Sequence, residues 1–511
     1  MRGRAAIIDR DTVATVLLRT ADARGQHPSL SFEPEPGSVQ HRTWSTTGRR
    51  ARACAAGLAG LGVRSGSRVG LHLTNRPDFY DVWWGAALLG AVVVPTNPLS
   101  TADELRYVHE HAECDVVITQ DDLADTVRAA GRADTVTVGS GWVDDDDLWD
   151  GAVPSDPLAP LGVLYTSGTT SRPKGVVVSH AAYLNAGRVV AEHLRLRPDD
   201  RQLVVLPLFH GNAQYYSTMS ALVTGASVAL APRFSASRWS EQAHLMGATV
   251  ASLFAAPVRM ILGQPPTRHD AAHALRLVMY AQNVTDSQVE QFESRFAVPL
   301  VQLYGMTETV APPLMAPVFA SRPRQSMGRP TLSAQVRLAA PDGTDVPLGE
   351  PGELLVGGDP GRTLMTQYLA NPTATAAALD DGWLRTGDMA RADADGNLYF
   401  VDRAKDVIKR AGENVACSEV ERVMDEHPDV VESAAVGVPD AVRDEALVAY
   451  AVPREGSDLT EAALIAHVSR HLARFKVPDQ VVLVQALPRT SVGKIQKHLL
   501  APPVPAATPT R

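Results

Sequence analysis

Cysteine is scarce in this chain of 511 residues: Cys54, Cys114 and Cys417, with no C-x-x-C pair. So odd and scattered a set builds neither a disulfide framework nor a thiolate metal site, and it fits a reduced, cytoplasmic compartment. A basic excess is also missing. The 48 Lys and Arg stand against 57 Asp and Glu, a net charge of −9, which argues against nucleic acid as a partner because that binding needs a basic face. No apolar run approaches the roughly 20 residues that cross a bilayer. The apolar stretch at residues 5–8 is too short for a secretory signal. Internal repeats are absent. The pattern G-x-x-x-x-G-K-[ST] is absent as well, so no common P-loop is expected. The one acidic run, residues 144–147, reads as a solvated loop, since adjacent carboxylates on a loop repel rather than converge on a metal.

What is present is alternation. Apolar faces at helical spacing occur over residues 12–23 and 49–61, with Thr46 and Thr47 as candidate caps of the second helix. From residue 68 to 119, short Val-rich strands alternate with helices, the pattern of βαβ units and a largely parallel sheet. Strands and helices continue to alternate to about residue 280, and residues 321–370 are rich enough in Pro, Gly and strand-like runs to predict a β subdomain. A boundary is expected at residues 402/403. The expected layout is α/β: a large N-terminal domain over 1–402, a small α+β domain over 403–500 and a disordered, Pro-rich tail over 501–511.

The most informative stretch is residues 164–180. Apolar runs enter and leave a segment of hydroxyls, glycine and lysine: Thr166, Ser167, Gly168, Thr169, Thr170 and Ser171, then Arg172, Pro173, Lys174 and Gly175. This predicts a strand, a tight loop and a second strand. Hydroxyls, amides and an ammonium beside a glycine can cradle phosphate, although by composition alone a solvated hairpin turn serves as well.

The order of residues closely resembles the phosphate loop of the adenylate-forming superfamily, which includes acyl-CoA synthetases, adenylation domains of peptide synthetases and firefly luciferase. Ser171 departs mildly from the glycine that many members carry. Three further segments resemble the family in its order: Tyr304-Gly305-Met306-Thr307-Glu308, Arg385-Thr386-Gly387-Asp388, and Gly493-Lys494 near the C-terminus. The resemblance implies ATP, Mg²⁺ and coenzyme A as reactants or cofactors. It implies that Lys174 and the hydroxyl loop contact the phosphates, Glu308 helps hold Mg²⁺, Thr307 contacts the α-phosphate, and Asp388 and Arg403 contact the ribose. Tyr304, Gln282 and Asn283 fall in the nucleotide site. His210, Gly305 and Met306 fall in the acyl pocket. Lys405 matches the hinge, Gly412 the pantetheine tunnel and Lys494 the catalytic lysine, with Lys497 as a less favoured alternative. Cys417, close to Gly412 in sequence, reads as a small structural residue.

The segment Tyr280-Ala281-Gln282-Asn283-Val284 departs from the Gly-Gly-Ala-Pro-like stretch of many members, and with residues 209–214 it more resembles carnitine- or crotonobetaine-type CoA ligases. The two amides serve adenine edges, a polar substrate group or the protein's own structure. The implied activity is ATP-dependent ligation of a small carboxylic acid to CoA, through an acyl-adenylate and alternation of the small domain, by a monomer or homodimer. The rivals are transfer to a carrier-protein thiol or an amine and, further off, a luciferase-like oxygenase.

Overall fold

The computed structural model describes residues 10–132, 134–166, 173–332, 334–403, 407–410, 413–440, 444–472, 474–489 and 495–500. The chain divides into two compact units, Met1–Val336 with Val356–Arg385, and Arg337–Leu355 with Thr386–Arg511.

The larger unit is layered α/β. Its longest parallel run orders the strands Leu300–Tyr304, Leu277–Ala281, Val250–Phe254, Arg201–Val204, Ser227–Leu230 and Pro28–Glu35. A second sheet orders Gln367–Tyr368, Lys174–Ser179, Pro160–Thr166, Val92–Pro95, Arg68–His72, Val116–Thr119 and Thr135–Thr137. The strands Val92–Pro95 and Val116–Thr119 are buried throughout, as expected of strands covered on both faces by crossover helices. Aromatic residues are only 5% of the chain, yet they gather. The helix Pro77–Leu89 buries Phe79, Tyr80, Trp83 and Trp84, and Tyr183 and Tyr215 join them in one apolar cluster.

The pattern of alternation sets most elements within a residue or two of expectation. One cap was misplaced. The helix Trp44–Gly60 starts earlier than residue 49, and Thr43, not Thr46 or Thr47, is its cap, its hydroxyl accepting from the Thr46 N–H. The strands Pro28–Glu35 and Ser38–Thr43, which precede it, form a hairpin that the helical spacing of the flanking segments had hidden. The acidic run is exposed, and Asp145 and Asp146 pair with Arg50 and Arg49. Among the described residues, no cluster of His, Cys, Asp or Glu could hold a metal by itself, and no helix is long and apolar enough to cross a membrane.

The smaller unit has its own core of Ile408, Val415, Val420, Leu447, Leu464 and neighbours. A sheet of Glu413–Ala416, Val407–Arg410, Asp444–Pro453 and Val430–Asp440, with Gln480–Leu483 paired in parallel to Asp444–Pro453, packs with the helices Cys417–Asp425 and Glu461–His471.

Candidate active site

The segment predicted as strand, loop and strand is a hairpin. Pro160–Thr166 and Lys174–Ser179 run antiparallel, and Thr166 pairs with Lys174 at the mouth of the loop. Gly175 follows because a Cβ there would lie 2.8 Å from the Val163 side chain. The helix Ala102–His111 clamps this end of the hairpin. The Tyr107 hydroxyl donates to the Pro173 carbonyl at 2.8 Å, and His111 Nδ1 lies 2.7 Å from the Tyr165 hydroxyl. Burial raises the Tyr165 phenol far above its ordinary value, so it stays protonated. Sequence reasoning missed both clamps, since nothing local marks a tyrosine on one helix as a partner for a loop some 60 residues on.

The strand Leu300–Tyr304 delivers the second motif. Glu308 is buried, 6% exposed, and the Tyr368 hydroxyl donates to its Oε1 at 2.8 Å. Burial first, and then the carboxylate, raise the Tyr368 phenol well above its usual range. Lys174 Nζ lies 4.8 Å from the centroid of the same ring. Tyr368 therefore joins the lysine of the first motif to the carboxylate of the second. The turn around them is fixed by Thr309, whose hydroxyl accepts from the Met306 N–H and donates to the Met306 carbonyl. Val310 follows with φ +55°, a left-handed conformation that costs a β-branched residue about 1–3 kcal/mol and that surrounding contacts must hold.

The Tyr-Gly motif also meets the segment after Pro207. Residues Asn212–Thr218 form a π-helical stretch, all buried, of the kind that gathers at functional sites. It turns Tyr216 toward the motif, so that a Cβ on Gly305 would lie 2.4 Å from the Tyr216 hydroxyl. Gln214 is satisfied on both ends, donating to the Leu208 carbonyl and accepting from Tyr183. His210 sits half-buried at the head of this stretch, its ring 4.1 Å from that of Phe209. Gln282 and Asn283 are exposed. Gln282 takes φ +71°, and the Asn283 Oδ1 accepts from Gln302 Nε2 at 2.8 Å, so one amide is partly engaged in structure.

In the smaller unit Asp388 is buried and stands opposite Arg403 on the paired strand. Its loop is pinned by Thr386, which donates to the Leu354 carbonyl at 2.6 Å and accepts from the Asp388 N–H at 3.1 Å.

The AMP-binding enzyme family pattern matches residues 17–369, and that of the AMP-binding enzyme C-terminal domain matches 419–494. The chain belongs to the AMP-binding enzyme family. A crotonobetaine/carnitine–CoA ligase of Proteus mirabilis is 36% identical over 501 residues, covering 94% of this chain and 97% of that protein. Among solved structures, an ATP-bound MatB from Rhodopseudomonas palustris is 25% identical with a TM-score of 0.86, over 95% of this chain and 98% of that one. A benzoate CoA ligase from Burkholderia xenovorans is 25% identical with a TM-score of 0.85, over 96% and 99%.

Of the family positions expected from sequence, the structure brings Thr166, Lys174, Tyr304, Gly305, Met306, Thr307 and Glu308 onto two neighbouring loop regions of the larger unit, with Tyr368 between Lys174 and Glu308. Ser167, Gly168, Thr169, Thr170, Lys405, Gly412 and Lys494 lie outside the described residues. Lys497 is described, and its Nζ pairs with Glu421 Oε1 at 2.8 Å. Cys417 is buried at the start of its helix, which suits a small structural residue.

Proposed function

We propose that this family enzyme is an AMP-forming acid–CoA ligase. A substrate carboxylate attacks the α-phosphorus of ATP, an acyl–phosphate bond forms and pyrophosphate leaves. The CoA thiol then attacks the acyl carbon, its proton passes to solvent, and AMP leaves. The observation that carries this reading is the convergence of Lys174 and Glu308 on Tyr368, a cation for phosphate beside a carboxylate for a counter-cation.

The donor set fits Mg²⁺, which prefers one or two carboxylates together with phosphate oxygens to an all-protein cage. Glu308 would hold it there, and when bound the ion neutralises phosphate charge. On this reading Thr166 to Thr170 and Lys174 bind the β- and γ-phosphates, and Thr307 orients the α-phosphate. Tyr304, Gln282 and Asn283 border the adenine, and Asp388 and Arg403 bind the ribose. His210, Gly305 and Met306 line the acyl pocket. Residues 403–500 act as a lid that turns about Lys405, presenting Lys494 for adenylation and Gly412 for the thiol step. Lys494 stabilises the charge that builds as two anions meet. The similarity to a crotonobetaine/carnitine–CoA ligase supports CoA as the acceptor.

ATP–pyrophosphate exchange across a panel of carboxylic acids, followed by product mass with and without CoA, tests the proposal. Acid-dependent exchange and an acyl-CoA product are expected. Exchange without any thioester would move the acceptor to a carrier thiol or an amine, and no exchange with any acid would overturn adenylation.

A further inference from the structure

Tyr368 belongs to neither motif and lies 60 residues from Glu308 in sequence, yet it is the group through which the two meet. It sits on the short strand Gln367–Tyr368, antiparallel to Lys174–Ser179. The register places it across from Val176, next to the phosphate hairpin. Its backbone N–H donates to Thr375 Oγ1 at 3.0 Å, and the side chain is 7% exposed. The phenol is thus fixed from its own backbone before it reaches Glu308. A second backbone bond, Met365 N–H to the Glu308 carbonyl at 2.9 Å, holds the segment before Tyr368 against the same residue.

A carboxylate can rotate about its last bond, and a rotating carboxylate presents a cation with a lone pair only part of the time. A donor on one oxygen removes that freedom. The ring meanwhile offers its negative face to Lys174. Resting on the proposed function, we infer that Tyr368 is a positioning residue: its hydroxyl orients the Glu308 carboxylate toward a divalent cation, and its ring seats Lys174 beside the phosphates.

Titration calorimetry of ATP binding to the full chain, in excess Mg²⁺ and in EDTA, isolates the part of the hydroxyl. Tyr368→Leu, which also removes the ring over Lys174, should weaken ATP in EDTA as well, and an unchanged EDTA affinity would overturn the ring's part. The wild-type chain should bind ATP more tightly in Mg²⁺. Tyr368→Phe keeps the ring and deletes only the donor, so the Mg²⁺ advantage should shrink about tenfold, at the lower end of what partners one shell out from a metal contribute. The affinity in EDTA should not change. Equal weakening in both media, or no weakening, would overturn the inference. Glu308→Gln supplies the second arm. With the carboxylate gone, adding Tyr368→Phe should cost nothing further in Mg²⁺, whereas an additive loss would show that Tyr368 acts elsewhere and overturn the assignment. A wild-type chain that binds no ATP in either medium would overturn the proposed function itself and this inference with it, an outcome distinct from a Mg²⁺ effect indifferent to Tyr368.

Discussion

In the larger unit Lys174 Nζ lies over an aromatic ring, 4.8 Å from the Tyr368 centroid. In the smaller unit Lys497 Nζ stands 2.8 Å from a carboxylate of Glu421. The two ammonium groups serve different ends. Burial alone would lower Lys497, and Glu421, with Cys417 and Asp402 behind it, reverses that and raises it above its ordinary value. Its charge is consumed in holding the helix Cys417–Asp425 to the chain's last described turn. A ring face, unlike a carboxylate, carries no counter-charge, so the contact of Lys174 with Tyr368 leaves room for an incoming anion. A lysine near a motif is therefore a candidate for chemistry only once its partner is known, and the partner of Lys497 gives it a structural task.

The sharpest way to break this comparison is at the C-terminal lysines. Lys494→Ala should reduce ATP–pyrophosphate exchange by about 10²–10³-fold, the usual cost of losing one group aimed at developing charge, while thioester formation from supplied acyl-adenylate survives. Lys497→Met should leave exchange per folded molecule within about tenfold. The opposite ranking would return Lys497 to the catalytic role and dissolve the contrast with Lys174.

Stability should show the converse. Lys497→Met leaves Glu421 without its cation and should destabilise the smaller unit by about 1–3 kcal/mol, read by urea denaturation. Pairing Lys497→Met with Glu421→Gln should recover most of the loss, because the amide oxygen still serves the Ala435 N–H that Glu421 Oε1 accepts at 2.7 Å and no unpaired charge remains. A double variant no better than the single one would mean that the unpaired charge of Glu421 is not what the loss of Lys497 costs.

Acid should cost the larger unit more, since three of its histidines are pushed down to about 4 while in the smaller unit burial lowers His467. His72, His109 and His180 lie buried in the larger unit, and burial lowers each imidazole to about 4. An unfolded histidine titrates near 6.5, so the unfolded chain binds these protons first. Stability of the larger unit should be full above about pH 6.5 and fall as pH drops toward 4. Comparing denaturation midpoints at pH 7 and pH 5 checks the sign, and a higher midpoint at pH 5 would refute it.

The smallest effect concerns one of these. Neither nitrogen of His109 finds a partner among the described residues, so His109→Leu should stabilise the chain by about 1 kcal/mol at pH 7 and flatten the acid limb. A loss of stability at pH 7 would reveal a hydrogen bond, to water or otherwise, that this imidazole makes.

Much of the larger unit could be read from the sequence because its signals are local. Residues 77–89 were legible as a helix from the alternation of strands and helices over 68–119, and the Thr166 and Lys174 ends of the hairpin from hydroxyls and glycine between two Val-rich runs. The cap at Thr43 was not, since three threonines within five residues are alike until the backbone chooses one. Nor was the π-helical stretch at Asn212–Thr218, since no residue in it demands a widened turn.

For the site the same division holds. The order of Thr166 to Lys174, Tyr304 to Glu308, Asp388 and Lys494 in the chain carried the reaction class through its resemblance to the adenylate-forming superfamily. Which groups steady them was decided by tertiary packing, of a strand for Tyr368 and of a helix for Tyr107. Tyr368 reaches Glu308, and Tyr107 reaches the Pro173 carbonyl, across separations of 60 and 66 residues. Over such distances chain entropy leaves a pairing unspecified until the sheets have closed around it.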